Sequence, residues 1–392
     1  MRKGWEVKKL GEVCTVIAGQ SPEGRYYNEK GNGLPFYQGK KEFTEKYIGE
    51  PTTWTSVTTK EALKGDVLMS VRAPVGPVNF STQKICIGRG LAAIRAGKAI
   101  DGEFLFNFLV KHENEIEGNA GAVFNSINKS QIENIEIPLP PLPEQKLIVT
   151  ILDETFTAID KAKFNVEKNL QNSKEIFEIY LENLFNEEKS ENKKVMLSEV
   201  CEISSKLVDP RKREYENLLH VGGGNIESKT GRLYNLKTAK EENLISGKFL
   251  FNNKMILYSK IRPYLMKVVK CDFDGLCSAD IYPLLPDSDK ISQEYLYYLL
   301  FTKNFTEYAI EGSQRAGMPK VNREHLFRYT FSLPSLKEQK RITHILDNLF
   351  RKSRELARCY QEKLLLVEEL GKTILKKAFT GELTYSTEKI TA

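Results

Sequence analysis

Between Glu144 and about Leu184, apolar side chains return every third or fourth residue: Val149, Leu152, Phe156, Ile159, Val166, Leu170, Phe177, Tyr180 and Leu184. Only Lys163 and Ser173 interrupt this stripe, and the segment holds neither Pro nor Gly. A seam at that spacing predicts one long helix that pairs with another, as in a coiled coil. About 40 residues at 1.5 Å each make a rod of roughly 60 Å. Pro138, Pro140, Pro141 and Pro143 stand just upstream, where they block helix before the rod and suit its first turn. A second stripe runs from Glu338 to about Phe379 through Leu346, Phe350, Ala357, Tyr360, Leu364, Val367, Ile374 and Ala378, with Gly371 as its weak point. Globular helices average about 11–12 residues, so burial in one ordinary core accounts poorly for either stripe. The two rods are expected to pack on each other.

The segments before each rod alternate short β-like runs with turn residues. The runs are Asp66–Val71, Gly76–Phe80, Leu91–Ala96, Lys254–Ile261 and Leu265–Cys271. Short apolar helices are predicted at Glu103–Leu109 and Glu294–Phe301, and Leu10–Val16 (LGEVCTV) recurs as Leu197–Ile203 (LSEVCEI). The clearest duplication lies at an offset of 194 residues. Ile116–Phe156 and Ile310–Phe350 align without a gap, and 16 of 41 positions are identical, among them Gly118/Gly312, Asn128/Asn322, Glu144/Glu338, Gln145/Gln339 and Asp153/Asp347. This period is too long for a solenoid. It marks a domain-plus-helix unit present twice, and a ligand would meet two sites related by approximate symmetry. The expected division is 1–143, a first domain; 144–189, the first rod and a polar linker; 190–337, a second domain; 338–384, the second rod; and 385–392, a tail. The fold class is α+β, two α/β domains and two long helices in a pseudo-two-fold repeat. The middles of the two domains diverge, which suggests one job done on two targets.

A chain of 392 residues exceeds one ordinary core. The net charge of +6 is unevenly spread: +2, −4, +5, +3 and 0 over the five segments in order. Both domains are mildly basic, which permits nucleic-acid binding without showing it. Cys14, Cys86, Cys201, Cys271, Cys277 and Cys359 form no CxxC pair and read as buried free thiols of a cytoplasmic protein. His112, His220, His325 and His344 show no metal-ligand spacing. The start, MRKGWEVKKL, lacks the apolar core of a signal peptide, and no apolar run would span a bilayer, so no membrane association is expected.

The familiar catalytic patterns are missing. Gly222-Gly223-Gly224 is followed by Asn225 and Ile226, a turn and not a phosphate loop; there is no HExxH, no GxSxG and no kinase set. No NPPY-like pocket for a flipped base occurs, and no carboxylate pair with a lysine suggests metal-dependent phosphodiester cleavage. The chain reads as a binder and not an enzyme. Basic residues beside strands carry that reading: Lys40, Lys41, Arg72, Arg89 and Lys129 in the first domain, and Arg211, Lys212, Arg213, Lys260, Arg262, Arg315, Lys320 and Arg323 in the second. Arginine can read guanine in a major groove and lysine suits phosphate, although any one of these could be a solvated surface charge. Arg72 and Arg262 stand out because each precedes a Pro turn at a comparable place. Asn125 and Gln314 could read adenine, and Tyr26 and Tyr27 could stack or simply pack.

PLPPLPEQKLIVTILD (Pro138–Asp153) and LPSLKEQKRITHILD (Leu333–Asp347) resemble the boundary motifs of type I restriction-modification specificity subunits. So do GDVLMSVRAPVG (Gly65–Gly76), YSKIRPYL (Tyr258–Leu265) and KKAFTGEL (Lys376–Leu383). The resemblance covers essentially the whole chain; Ser332, Ser335 and Lys337 replace prolines in the second copy. It implies a non-catalytic subunit whose two target recognition domains each read half of a split site in double-stranded DNA, spaced by an antiparallel helix pair. Two methyltransferase subunits and restriction/translocase subunits would be its partners. S-adenosylmethionine, ATP and magnesium would reside on those partners, with no cofactor in this chain. Two other readings stay open from the residues alone: a coiled-coil adaptor that binds proteins, and a self-contained methyltransferase or nuclease with an unfamiliar site.

Overall fold

The computed structural model describes residues 4–118, 126–187, 192–204, 206–313 and 318–384. Both stripes form single helices of 45 residues, Leu142–Asn186 and Leu336–Thr380. Each starts two residues before the expected glutamate. A buried glutamine secures each start. The Gln145 side chain accepts from the Asp101 amide at 2.8 Å and donates to the carbonyls of Ala99 and Pro140 at 3.0 and 2.8 Å. Gln339 repeats the arrangement, accepting from Ser292 at 2.8 Å and donating to Lys290 and Pro334 at 2.9 Å each. The repeated EQ therefore ties the end of a strand, the start of the long helix and the entry to a neighbouring helix, leaving no orphaned amide in a dry place.

The chain forms two compact units, Met1–Glu167 with Gln361–Ala392, and Lys168–Tyr360. Each unit holds part of both long helices, side by side and antiparallel.

In the first unit an antiparallel sheet runs in the order Cys14–Ala18, Leu91–Ala96, Val67–Ser70, Val78–Phe80. A second, five-stranded sheet runs Tyr27–Asn28, Trp54–Thr55, Leu34–Tyr37, Ile85–Ile87, Glu61–Ala62, with Leu34–Tyr37 parallel to Ile85–Ile87. The predicted apolar helix is Gly102–Gly118, capped by the Asp101 carboxylate on the amides of Glu103 and Phe104. Its Phe104, Leu105, Phe108 and Leu109 are buried with Ile148 and Leu152 of the first long helix and Leu375, Ala378 and Phe379 of the second. Phe379 lies 5.1 and 5.5 Å from the rings of Phe104 and Phe108. Glu144 accepts from Trp5 Nε1 at 3.2 Å and from Thr384 Oγ1 at 2.8 Å, so one carboxylate fastens an early and a late stretch of the chain.

The second unit repeats the plan. Its four-stranded sheet runs Cys201–Ile203, Ile281–Pro286, Ile256–Ser259, Val268–Lys270. Its five-stranded sheet runs Leu207–Val208, Lys248–Phe251, Gly275–Cys277, Leu219–Val221, Lys237–Thr238, again with one parallel pair, Leu219–Val221 beside Gly275–Cys277. Helix Gln293–Leu299 buries Tyr295, Leu296 and Tyr298 against Leu181 of the first long helix and Ile342 and Leu346 of the second. Gly312 is required here, because a Cβ would collide with the His325 ring, which stacks on Tyr308 at 4.1 Å.

The predicted seam faces the partner helix along most of its length, with two corrections. Tyr180 is 49% exposed while its neighbour Leu181 is buried at 2%, because at this end the helix turns a different face to the globular core. Cys359 is exposed, unlike the other five cysteines, since it falls between the seam positions Ala357 and Tyr360. No helix among the described residues is long and apolar enough to cross a membrane.

Candidate nucleic-acid interface

In the first unit, strand Val67–Ser70 ends in the turn that carries Arg72. The buried Ser70 hydroxyl donates towards the carbonyls of Arg72 and Pro74 at 3.2 and 3.0 Å, which sets the turn's shape from within. Val71 is pinned from two sides: its amide donates to Gly90 O at 3.0 Å and its carbonyl accepts from Ile127 N at 3.0 Å. Arg89 sits in the tight turn between Gly88 and Gly90. Those glycines let the backbone of Gln38 approach, through Gly88 N to Tyr37 O at 2.8 Å and Gly90 N to Gln38 O at 3.0 Å, and a Cβ at Gly90 would collide with Gln38 O. Lys40 and Lys41 follow at once, on the single turn Lys40–Glu42. Backbone bonds thus bring the exposed residues Arg72, Arg89, Lys40 and Lys41 to one edge. Lys129 lies just beyond Ile127 and pairs with Glu133 at 3.5 Å; its helix Lys129–Glu133 is capped by Asn128, whose side chain accepts from Gln131 N at 3.0 Å. Tyr27 is half-buried and stacks on Phe36 at 4.7 Å, and the half-buried Tyr26 lies under the Arg25 guanidinium at 5.0 Å.

The second unit builds the same junction with other side chains. Lys260 N donates to Asp280 O at 3.1 Å and Lys260 O accepts from Val321 N at 2.9 Å, the register that Val71 occupies in the first unit. By that register Arg72 matches Ile261, and Arg262 projects one residue later. Arg262 is exposed, its amide donates to Pro319 O at 2.9 Å, and its φ of +50° is unusual for a residue with a side chain. Tyr264, half exposed on the same turn, carries no signal that the sequence reading could use.

The candidate lysines differ in what they are free to do. Lys260 is buried at 9%: its ammonium donates to Ala279 O, lies 5.0 Å over the Tyr282 ring and stands 3.9 Å from Asp280. Burial, with Lys320 nearby, lowers its pKa. Lys320 shares Asp280 at 3.6 Å. Arg323 lies over the Phe327 ring at 5.5 Å. Lys260, Arg262, Lys320 and Arg323 therefore gather around one turn. Arg211 and Lys212 occupy another loop, where Arg211 makes a two-pronged pair with Asp209 at 3.0 and 2.9 Å and holds that carboxyl down at about 2. Lys212 and Arg213 are exposed. Asn125, Gln314 and Arg315 lie outside the described residues. Where the first unit has Gln38 to Lys40, the second has the Gly222–Gly224 turn, whose Gly223 carbonyl accepts from Lys267 Nζ. That lysine was hidden in a predicted strand run. Among the described residues no group of three His, Cys, Asp or Glu is placed to hold a metal ion.

The family described as type I restriction modification DNA specificity domain matches residues 2–172 and 189–364, one match per copy of the repeat. The type I restriction enzyme EcoDI specificity subunit of Escherichia coli is 28% identical over 414 aligned positions, covering 97% of this chain and 89% of that one. A solved chain, from work on complex assembly and conformational transition of the type I R-M system, superposes with a TM-score of 0.78 at 20% identity, over 98% of this chain and 99% of that one. The HsdS subunit from Thermoanaerobacter tengcongensis gives 0.66 at 20% identity, over 98% of each chain. Two copies of one scaffold, each with a basic edge and a motif-bearing long helix, are what this family profile covers twice over: the chain belongs to the type I restriction-modification DNA specificity family.

Proposed function

We propose that the two units of this specificity subunit each read one half of a split, asymmetric DNA site. The chain is the sequence reader of a type I restriction-modification system and not its catalyst. The observation that carries the proposal is the repeated junction: Val71 and Lys260 hold one hydrogen-bond register and Ser70 and Ser259 shape both turns alike, yet the turns that follow carry different side chains, Arg72 against Ile261 and Arg262. One scaffold with unequal contact residues suits two different half-sites. Phosphate contacts from lysines would position each unit, and Arg72 and Arg262 would contact base edges. The long helices would fix the distance between half-sites.

The same helices carry large apolar side chains away from their mutual seam. Phe164, Leu365, Leu366 and Leu370 are exposed in the first unit, and Ile176, Ile179 and Leu356 in the second. These faces fit the docking of two methyltransferase subunits, which would carry S-adenosylmethionine; restriction/translocase subunits would bring ATP and magnesium. The setting would be the cytoplasm, where such a complex meets chromosomal DNA.

Co-expression with the partner methyltransferase in a host free of DNA methylation, followed by mapping of modified bases, tests the proposal. A split motif with one methylated adenine in each half is expected; a continuous motif, or none, would sink it. Deleting matched whole turns from both helices should change the tolerated gap. A gap that survived such a deletion would refute the spacer role.

A further inference from the structure

In each unit the chain beyond the parallel-paired strand of the five-stranded sheet forms a short hairpin, which bonds to the edge strand Val78–Phe80 in the first unit and to the turn just before the edge strand Val268–Lys270 in the second. In the first unit Phe43 bridges Ile48, and this short hairpin bonds to Phe80 through Phe80 N to Lys46 O at 2.8 Å and Ile48 N to Phe80 O at 3.0 Å. Its Lys46 reaches Glu103 of helix Gly102–Gly118 at 3.0 Å. In the second unit Ile226 bridges Leu233, and Glu227 N donates to Arg232 O at 2.9 Å. Asn225 closes the base of this hairpin: its side chain accepts from Gly222 N at 2.9 Å and donates to the carbonyls of Tyr234 and Asn235. The tip, Ser228 to Gly231, leaves the five-stranded sheet from which it springs. Lys229 N donates to Met266 O at 3.3 Å, and Gly231 (φ +65°) lies so close to Tyr297 that a Cβ would strike the phenol oxygen. Lys229 Nζ then meets Glu178 of the first long helix at 3.3 Å. Tyr297 is held as well by Lys270 Nζ over its ring at 5.1 Å and by T-shaped contacts with Tyr298 and Phe301 at 5.3 and 5.0 Å.

We infer that the hairpin Ile226–Leu233 is a strut, bracing the five-stranded sheet of the second recognition unit against Tyr297 of the short helix Gln293–Leu299 and, through Lys229 and Glu178, against the first long helix. Glu178, Lys229, Gly231 and Tyr297 are its positioning residues. This inference rests on the half-site reading above. An unbraced sheet can rock on the helix, and each small rotation moves the base-reading edge along the DNA. The strut therefore sharpens the gap between half-sites without choosing any base. The Lys229–Glu178 pair is exposed and contributes little energy; the seat of Gly231 on Tyr297 carries more, because a side chain there must displace a buried ring packed against Lys270, Tyr298 and Phe301.

The test uses the full chain with its methyltransferase partner, and compares the parent with Gly231→Val, Glu178→Lys, Lys229→Glu and the double exchange Glu178→Lys/Lys229→Glu. Methylated fractions are read at sites whose gap is correct, one base pair longer and one shorter. In Gly231→Val, methylation at the wrong gaps should rise about fivefold relative to the correct gap, the ratio that accompanies loss of a modest contact, with half-site bases unchanged. The two single charge reversals should shift the same ratio less, and the double exchange should restore it. An unchanged gap profile in Gly231→Val overturns the strut. So does a change in the bases of one half-site, since the hairpin would then be reading DNA, and so does a shift in the single charge reversals that the double exchange fails to restore. A parent that modified no split site would remove the half-site reading itself, whereas a parent with a split site and indifferent variants removes only the strut.

Discussion

Gln145 and Gln339 occupy equivalent points, each wholly buried and each using both ends of its amide. Leucine at either position would fill the space but strand one backbone N–H and two carbonyls. An unpartnered buried group costs about 1–3 kcal/mol, so Gln145→Leu should lower stability by about 3 kcal/mol in urea unfolding; a loss below about 0.5 kcal/mol would show that water replaces the amide. Both glutamines were visible in the sequence as repeated letters, yet their task was not, because their partners are backbone groups with no residue signature. His220 gives a second case. It is buried, its Nδ1 lies 2.7 Å from Glu242, its Nε2 has no hydrogen-bond partner, and Lys248 is nearby. Burial, opposed by Glu242, lowers its pKa below the ordinary 6.5. The unfolded chain then takes up the proton at higher pH than the folded one, so stability is full above about 6.5 and falls as the pH drops towards the folded value. Unfolding midpoints from pH 7 to 5 should therefore decline less steeply for His220→Gln than for the parent. Parallel declines would mean that His220 is not a source of the slope.

At the scale of the element, the long helices were the most legible part, because their period repeats over many turns and nothing breaks it. Gly371, the weak point of the second stripe, is buried, and a methyl there would sit 3.6 Å from Phe156 and 3.9 Å from Ile159, at ordinary contact distance. Gly371→Ala should raise stability by roughly 0.5–1 kcal/mol through better helix propensity and a less flexible unfolded chain; a destabilised variant would show that the seam has no room. The stripe failed at Tyr180, where a third body, the globular core, joins the contact and the two-helix period no longer decides which face is buried. The five strand runs read from the sequence all occur, Leu91–Ala96 in full and the other four trimmed at their ends. The two- and three-residue strands of the five-stranded sheets, such as Trp54–Thr55 and Leu219–Val221, were not legible. They are too short for alternation to register, and tertiary pairing alone defines them.

The molecule as a whole declared itself through the match at offset 194, which no local property could have supplied. The register of the two turns that carry Arg72 and Arg262 was less accessible: the two arginines look alike in sequence, and only the hydrogen bonds of Val71 and Lys260 show that they differ by one residue. Reading by separate units predicts independence. Arg72→Ala should relax base preference in one half-site roughly tenfold, as loss of a base contact does, and leave the other untouched, while Arg262→Ala does the reverse. Methylation mapping that found both halves altered by either change would rule out separate reading. The division of the chain also sets an order of events during synthesis. The second unit is one unbroken stretch, Lys168–Tyr360, whereas the first is finished only by residues after Gln361. Until then Phe104 and Phe108 wait without Leu375, Ala378 and Phe379, and Glu144 waits without Thr384. At about 5–20 residues per second the wait is roughly 12–55 s. A ribosome-bound chain would thus show an apolar groove on its earlier half that closes only as the last helix emerges, making the early half the natural client of a chaperone and the late half the first to be born complete.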